Sequence, residues 1–238
     1  MNHVLEANRA PAHVPVIAID GPSGVGKGMV MRWIAQGLGW HRLDSGVLYR
    51  ILALATHKAG IDLADTQAVA ALAPRLDIRF VGTTEHDEVI LVDGADWTAI
   101  IRAETTAALA SRIAAAAEVR TALLQRQRDF REPPGLVADG RDMGTVVFPD
   151  ADLKIFLDAS VDARAHRRWL QLRAAGISAS LIDLCTEVRL RDERDRTRSV
   201  APLRPADDAV LIETTHLSPA EVLDRIGILV AERGFASS

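Results

Sequence analysis

One stretch constrains this chain more than any other: Val16-Ile17-Ala18-Ile19-Asp20-Gly21-Pro22-Ser23-Gly24-Val25-Gly26-Lys27-Gly28. The apolar run reads as a short buried strand, the glycine-rich segment as a tight loop, and the residues after it as the start of a helix. Glycine at 21, 24 and 26 permits backbone conformations and close approaches that a Cβ blocks, so consecutive N–H groups can turn toward an anion at a helix N-terminus. Lys27 adds a mobile positive charge at the same place. The spacing Gly21-x-x-x-x-Gly26-Lys27, between a strand and a helix, fits the phosphate-cradling P-loop pattern in the context that pattern requires. One position departs from it. The Ser or Thr that normally follows the lysine and ligates Mg²⁺ is Gly28 here, with Met29 next, so a metal has to be held in another way.

With 238 residues, 48% of them hydrophobic and 25% charged, the chain is long enough for one large α/β domain with insertions or two small ones. A formal net charge of −4 argues against a surface built throughout for nucleic acid, so a basic site has to be local. The single cysteine, Cys185, excludes internal disulfides and cysteine metal clusters, as in a reducing compartment. No apolar run approaches a membrane span and Met1 to His13 lacks the apolar core of a signal peptide, so a cytoplasmic protein with no membrane partner is expected. Residues 1–13 read as a loose tail before a single domain over 14–238.

Along the chain, helical spacing runs from Val30 to Leu38 with Gly37 and Gly39 at its end, then an extended piece closes in a turn at Asp44-Ser45-Gly46, and a helix runs from Val47 to about Lys58. A short helix from Gln67 to Ala73 is stopped by Pro74. Leu76–Val81 and Glu88–Val92 read as an antiparallel hairpin joined through Gly82–Asp87, and an alanine-rich helical region runs from about Ala103 to Arg131, broken by Pro133-Pro134-Gly135. A hairpin between helices does not continue a plain doubly wound sheet, so the region of about 46–131 is expected to be an inserted substrate-binding subdomain.

The core sheet resumes with Gly135–Ala138, which ends in Asp139-Gly140-Arg141-Asp142, and with Leu153–Leu157. Ligands of open parallel sheets sit beyond the carboxyl ends of the strands, which directs Asp139, Arg141 and Asp142 toward the phosphate loop. A carboxylate such as Asp139 there can hold Mg²⁺ through its water shell, because that ion gives up water reluctantly. Ser160 caps a basic helix over Val161–Ala175, and a second helix from Leu181 to about Arg198 interleaves arginines with acids. Most of that charge reads as surface pairing, yet Arg191, Arg194 and Arg198 share a face at three-then-four spacing, as clamping phosphate oxygens requires. The two helices and their short link, about 174–198, look like a lid. A last strand over Ala209–Thr214 leads into the capping box Ser218-Pro219-Ala220-Glu221 and a terminal helix. His41, His57, His86, His166 and His216 lack metal-ligand spacing and are read as structural.

Taken together, Gly21–Gly28, the block Leu43-Asp44-Ser45-Gly46-Val47-Leu48-Tyr49-Arg50, the block Ala138-Asp139-Gly140-Arg141-Asp142-Met143-Gly144-Thr145, the run Lys154–Ser160 and Arg191-Asp192-Glu193-Arg194-Asp195-Arg196 resemble bacterial cytidylate kinases over nearly the whole chain after the tail. The resemblance implies a P-loop nucleoside monophosphate kinase fold and transfer of the ATP γ-phosphoryl group to CMP or dCMP with Mg²⁺ as cofactor; a monomer is expected. It assigns Gly21, Pro22, Ser23, Gly24, Val25, Gly26, Lys27, Gly28 and Met29 to the ATP phosphates, and Arg50 and Arg141 to the acceptor phosphate. Ser45, Arg120 and Asp142 fall at the cytosine edge, Ser111, Arg191 and Asp195 around the acceptor sugar, and Arg191, Arg194 and Arg198 at the lid and phosphate-clamping positions. The family usually carries threonine where Met29 stands, a departure that bears on one side-chain contact to phosphate and leaves the backbone cradle in place.

Two rivals are weighed against this. Another P-loop small-molecule kinase would differ in its acceptor, and a nucleotide-dependent RNA-binding protein would use the arginines between 164 and 198, against which their interleaved Asp and Glu count. No Asn-Lys-x-Asp stretch for guanine reading is present, which disfavours a GTP switch.

Overall fold

The computed structural model describes residues 13–81 and 89–235, so the tail over 1–12, the hairpin link and His86 lie outside the described residues. Five strands form the central sheet in the order β2-β6-β1-β7-β8: β1 (Val16–Asp20), β2 (His41–Asp44), β6 (Leu136–Gly140), β7 (Leu153–Asp158) and β8 (Val210–Glu213). All four pairings are parallel. A parallel sheet with helices on both faces has no wet side, and β1 and β6 accordingly open with apolar runs, Val16–Ile19 and Leu136–Ala138, and are buried at every position.

The two faces divide the core by the period-2 alternation of β1. Val16 and Ala18 pack with Leu43, Ala138 and the helices that follow β2, whereas Ile17 and Ile19 pack with Val137, Ile155 and the helices α1 (Lys27–Leu38) and α9 (Pro219–Glu232). Burying each of these isoleucines contributes about 1.5–3 kcal/mol. Helix α1 starts at Lys27, a turn earlier than the apolar spacing suggests, because the loop glycines bring the chain into helical geometry directly behind the phosphate loop. Gly37 lies inside it and Gly39 closes it.

Between β2 and β6 lies a long run of helices and a second sheet. Helices α2 (Ser45–Lys58) and α3 (Thr66–Leu72) lead to a second sheet in which β3 (Ile78–Val81), β4 (Val89–Val92) and the two-residue β5 (Ala95–Asp96) run antiparallel, with Ile78 opposite Val92 and Val81 opposite Val89. After α4 (Thr98–Arg102), the alanine-rich region is two helices, α5 (Glu104–Ile113) and α6 (Ala117–Arg128). Its break at 114–116 falls on alanines, which give no local stop signal. Helices α7 (Val161–Ala174) and α8 (Leu181–Thr197) come after β7, α7 capped by the Ser160 side chain on the Ala163 N–H. Ser218 and Glu221 form the expected reciprocal capping box at the start of α9. Among the described residues no helix is long and apolar enough to cross a membrane.

The turn out of β1 is sterically exacting. Gly21 has φ of +148°, and a Cβ there would collide with the carbonyl of Leu157 on the neighbouring strand. Gly21→Ala is therefore expected to cost about 1–3 kcal/mol of stability through strain and overpacking, read as a lowered midpoint of urea denaturation. A midpoint equal to that of the wild type would show that the loop relaxes freely.

Candidate active site

The parallel register sets the carboxyl ends of β1, β2 and β6 side by side, with Asp139 opposite both Ile19 and Asp44. A cavity of about 720 Å³ opens at this edge of the sheet. The phosphate loop and the start of α1, residues 23–29, form one wall of it. Ser45 and Arg50 enter from α2, Ser111 from α5 and Arg120 from α6; Asp139, Arg141 and Asp142 enter from the end of β6, and Arg191, Asp195 and Arg198 from α8 and its cap.

Three of the residues singled out in the sequence do not line the cavity. Gly21 is sealed beneath β7, and Pro22 instead gives its carbonyl to Lys27 Nζ at 3.0 Å. Arg194 is exposed and donates from Nε to the Leu190 carbonyl at 3.2 Å. The reason is angular: at about 100° per residue, position 194 trails 191 by about 60°, whereas 195 leads it by about 40° and 198 trails by about 20°. The cavity-facing stripe is 191, 195 and 198.

At the loop end, Lys27 is only 6% exposed and its Nζ stands 3.9 Å from an Asp139 carboxylate oxygen. Burial, and then the nearby Arg141 guanidinium, push the lysine down from its usual range. Burial raises Asp139 toward it from below, against the pull of Lys27. An anion arriving at the loop reverses the first shift, because it stabilises the ammonium form.

Toward the other end, Arg120, Arg141 and Arg198 each meet a carboxylate from a different element. Arg141 donates from Nε to Asp195 Oδ2 at 3.0 Å and from Nη1 to the Gly140 carbonyl at 3.1 Å. Burial pushes Asp195 up, but Arg141, Arg191 and Arg198 outweigh it and hold the carboxyl below its ordinary value. Arg120 pairs through Nη2 with Asp142 Oδ2, donates from Nη1 to the Ala114 carbonyl at 3.1 Å and lies over the Tyr49 ring at 5.6 Å. Arg198 Nη2 stands 3.9 Å from the other Asp142 oxygen, and burial together with Arg120 lowers its pKa. Arg50 donates from Nη1 to the Ile101 carbonyl at 3.1 Å, which ties α2 to α4. Ser111 Oγ is buried and has no hydrogen-bond partner among the described residues.

Sequence reasoning missed several participants. Asp20 accepts the backbone N–H groups of Met143 and Gly144, both at 2.8 Å, and so pins the turn that presents Arg141 and Asp142. Burial lifts its carboxyl to about 6 while those two donors pull it down. Asp44 lies on the cavity wall at the end of β2. The cavity also runs on past the loop to an end lined by Arg167, Leu170, Thr214, Leu217, Pro219 and Val222, where Arg167 donates to the Thr214 hydroxyl at 3.2 Å and to its carbonyl. Thr214 directly succeeds β8, so the strand-end argument that found Asp139 also reaches it; the apolar residues beside it carry no such signal.

Among the described residues no group of three or more His, Cys, Asp or Glu side chains is arranged to hold a metal ion. Asp139 and Asp44 are the carboxylates beside Lys27, a sparse set that fits an ion which keeps several waters.

The lowered lysine and raised aspartate give a testable sign. An anionic nucleotide raises the pKa of both groups, so binding of metal-free ATP around neutral pH is expected to take up protons. Titration calorimetry in two buffers of different ionisation enthalpy measures that uptake, and equal heats in both buffers would show that the pair does not change protonation.

The family model for cytidylate kinase matches residues 17–232. A cytidylate kinase from Stutzerimonas stutzeri is 57% identical over 224 residues, which is 94% of this chain and 98% of that protein. Those of Pseudomonas paraeruginosa and Pseudomonas fluorescens strain SBW25 are 55% and 54% identical, covering 90% and 93% of this chain and 94% and 97% of theirs. With the match spanning the phosphate loop, the insertion and α8 alike, the chain belongs to the cytidylate kinase family.

Proposed function

We infer that this protein transfers the γ-phosphoryl group of ATP to CMP and dCMP, giving CDP and dCDP, by direct in-line displacement. The observation that carries the reading is one cavity holding both a phosphate loop with its buried lysine and, at another wall, the Arg120–Asp142 pair. Phosphoryl transfer asks little covalent help from a protein; it needs two nucleotides aligned and their negative charge offset. Lys27 and the backbone N–H groups of residues 23–29 serve the donor phosphates, and the end lined by Arg167, Leu170 and Val222 suits the flat apolar faces of the donor base. Arg141, Arg191 and Arg198 offset charge on the transferring and acceptor phosphates, with Arg50 at the acceptor phosphate. Ser111 and Asp195 serve the acceptor sugar.

Asp142 and Arg120 read the acceptor base, with Ser45 beside them. Cytosine offers an exocyclic amino donor next to ring acceptors, which matches a carboxylate next to a guanidinium. Uracil presents a carbonyl oxygen where the amine would be, and Asp142 then faces an acceptor. When bound, Mg²⁺ supplies charge neutralisation at the phosphate oxygens, and Asp139, with Asp44, would hold it through water. Residues of about 46–131 act as the monophosphate-binding region and 174–198 as a lid, whose closure excludes water; Arg194 enters this reading only through that closure. The site is complete within one chain, which supports a monomer. The RNA-binding alternative is not favoured, because arginines of this region are paired internally: Arg164 with Asp192, Arg189 with Asp162 at 3.7 Å and Arg196 with Asp158 at 3.5 Å.

A coupled assay with ATP and a panel of nucleoside monophosphates tests the reading, which predicts turnover of CMP and dCMP above all others; preference for a different acceptor would overturn it. Lys27→Ala is expected to fold and to lose about 10²–10³-fold in kcat. Asp142→Ala is expected to lower the kcat/KM ratio of CMP to UMP by about 10- to 100-fold, with ATP binding little changed; an unaltered ratio would place cytosine selection elsewhere.

Met29 lines the cavity while packing against the apolar cluster of α1 and α9. Met29→Thr adds a hydroxyl beside the donor phosphates, worth at most about 1–2 kcal/mol. Binding of a non-hydrolysable ATP analogue should tighten about five- to thirtyfold while CMP affinity holds. Equal analogue affinities would mean that the side chain at this position touches no phosphate.

A further inference from the structure

Arg164, in the first turn of α7, belongs to neither nucleotide end of the cavity, yet it is only 2% exposed. Its guanidinium ties three elements together. Nε donates to the Ala159 carbonyl just past β7 at 2.9 Å, and Nη1 donates to the Ser23 carbonyl of the phosphate loop at 3.0 Å. Nη1 also reaches Asp192 Oδ1 at 3.0 Å and Nη2 reaches Asp192 Oδ2, a two-pronged bond to the middle of α8. The loop rests directly on this arginine: a Cβ added at Gly24, where φ is +78°, would stand 3.3 Å from Arg164 Cβ. Asp192 adjoins Arg191 and lies three residues before Asp195, both of which line the cavity.

Other ties between α7 and α8 hold the helix less firmly. Arg189 and Asp162 are 3.7 Å apart with both side chains exposed, and the Cys185 thiol is 3.8 Å from the same Asp162. A forked guanidinium–carboxylate contact fixes orientation as well as distance, which a point charge does not. Stability alone gives a poor account of such a pair, since buried ion pairs can often be exchanged for apolar side chains of similar volume without loss.

We propose that Arg164 and Asp192 form a positioning pair that couples the donor phosphate loop to the acceptor-side residues of α8. Seating of phosphates against the loop moves or fixes the Ser23 peptide; the arginine passes that constraint to Asp192, and α8 then presents Arg191 and Asp195 to the acceptor. The proposal rests on the kinase reading. It adds residues that touch neither nucleotide but set the geometry of those that do.

The apolar double variant Arg164→Met/Asp192→Leu separates positioning from support. It is expected to melt within a few degrees of the wild type, to bind an ATP analogue alone within about twofold, to lose at least about tenfold in kcat, and to raise the KM for CMP at least about threefold. A double variant with wild-type melting and kcat within twofold would overturn the proposal. Should the variant not fold, amide hydrogen exchange on the wild-type protein decides: the ATP analogue alone should slow exchange across residues 189–197, and protection confined to the phosphate loop and α1 would sink the coupling. Failure of the wild type to phosphorylate CMP would defeat the kinase reading instead, so the two failures are distinct.

Discussion

Mutual repulsion among buried and half-buried cations is the constraint on which this site depends. Lys27, Arg120, Arg141, Arg191 and Arg198 converge on one cavity, and at interior dielectric like charges a few ångströms apart cost several kcal/mol unless offset. The fold offsets them by supplying carboxylates from several elements: Asp139 toward Lys27, Asp142 toward Arg120 and Arg198, Asp195 toward Arg141. These pairs hold the guanidinium groups in defined places without filling the cavity. A ligand carrying several negative charges meets cations already positioned, so little reorganisation is needed when it arrives.

The sheet makes this possible through register. With β1 between β6 and β7, and β2 beyond β6, the carboxyl ends of parallel strands stop at one edge, and Asp20, Asp44 and Asp139 are delivered there by backbone pairing rather than by long side chains. Asp20 does not line the cavity. By holding the N–H groups of Met143 and Gly144 it stops the chain after Asp142 in one conformation, which is why Arg141 and Asp142 point from a rigid turn.

What could be read from the sequence depended on how local each feature is. The phosphate loop is contiguous, so Gly21–Lys27 disclosed its shape and the place of its lysine, and the strand-end rule placed Asp139, Arg141 and Asp142 at the cavity without any contact information. The pairing of Arg120 with Asp142 spans two elements, and nothing in either segment announces it; only the family resemblance brought the two residues to one base. Arg194 was drawn in by approximate helical spacing, where a phase difference of some tens of degrees decides between cavity and solvent. The end lined by Leu170, Leu217 and Val222 was illegible because apolar residues that line a ligand site look the same in sequence as those that fill a core. The split of the alanine-rich region into α5 and α6 lacked a signal for the opposite reason, since a break set by tertiary packing needs no glycine or proline.

The two ends of the cavity differ in how they are built, and that difference bears on selectivity. On the kinase reading, the loop end works through backbone N–H groups and one lysine, which recognise phosphate oxygens whatever base is attached to them. The acceptor end works through side chains that are themselves buried and mutually paired, Arg120 with Asp142 under Arg198. A ligand that fails to match such a pair leaves a desolvated charge facing a like dipole, and that penalty discriminates far more strongly than a missing apolar contact. On the kinase reading, base selection is therefore concentrated at the acceptor. At the donor end, discrimination between bases is limited to what the apolar walls and Arg167 exert, because the groups that bind most strongly there never touch a base.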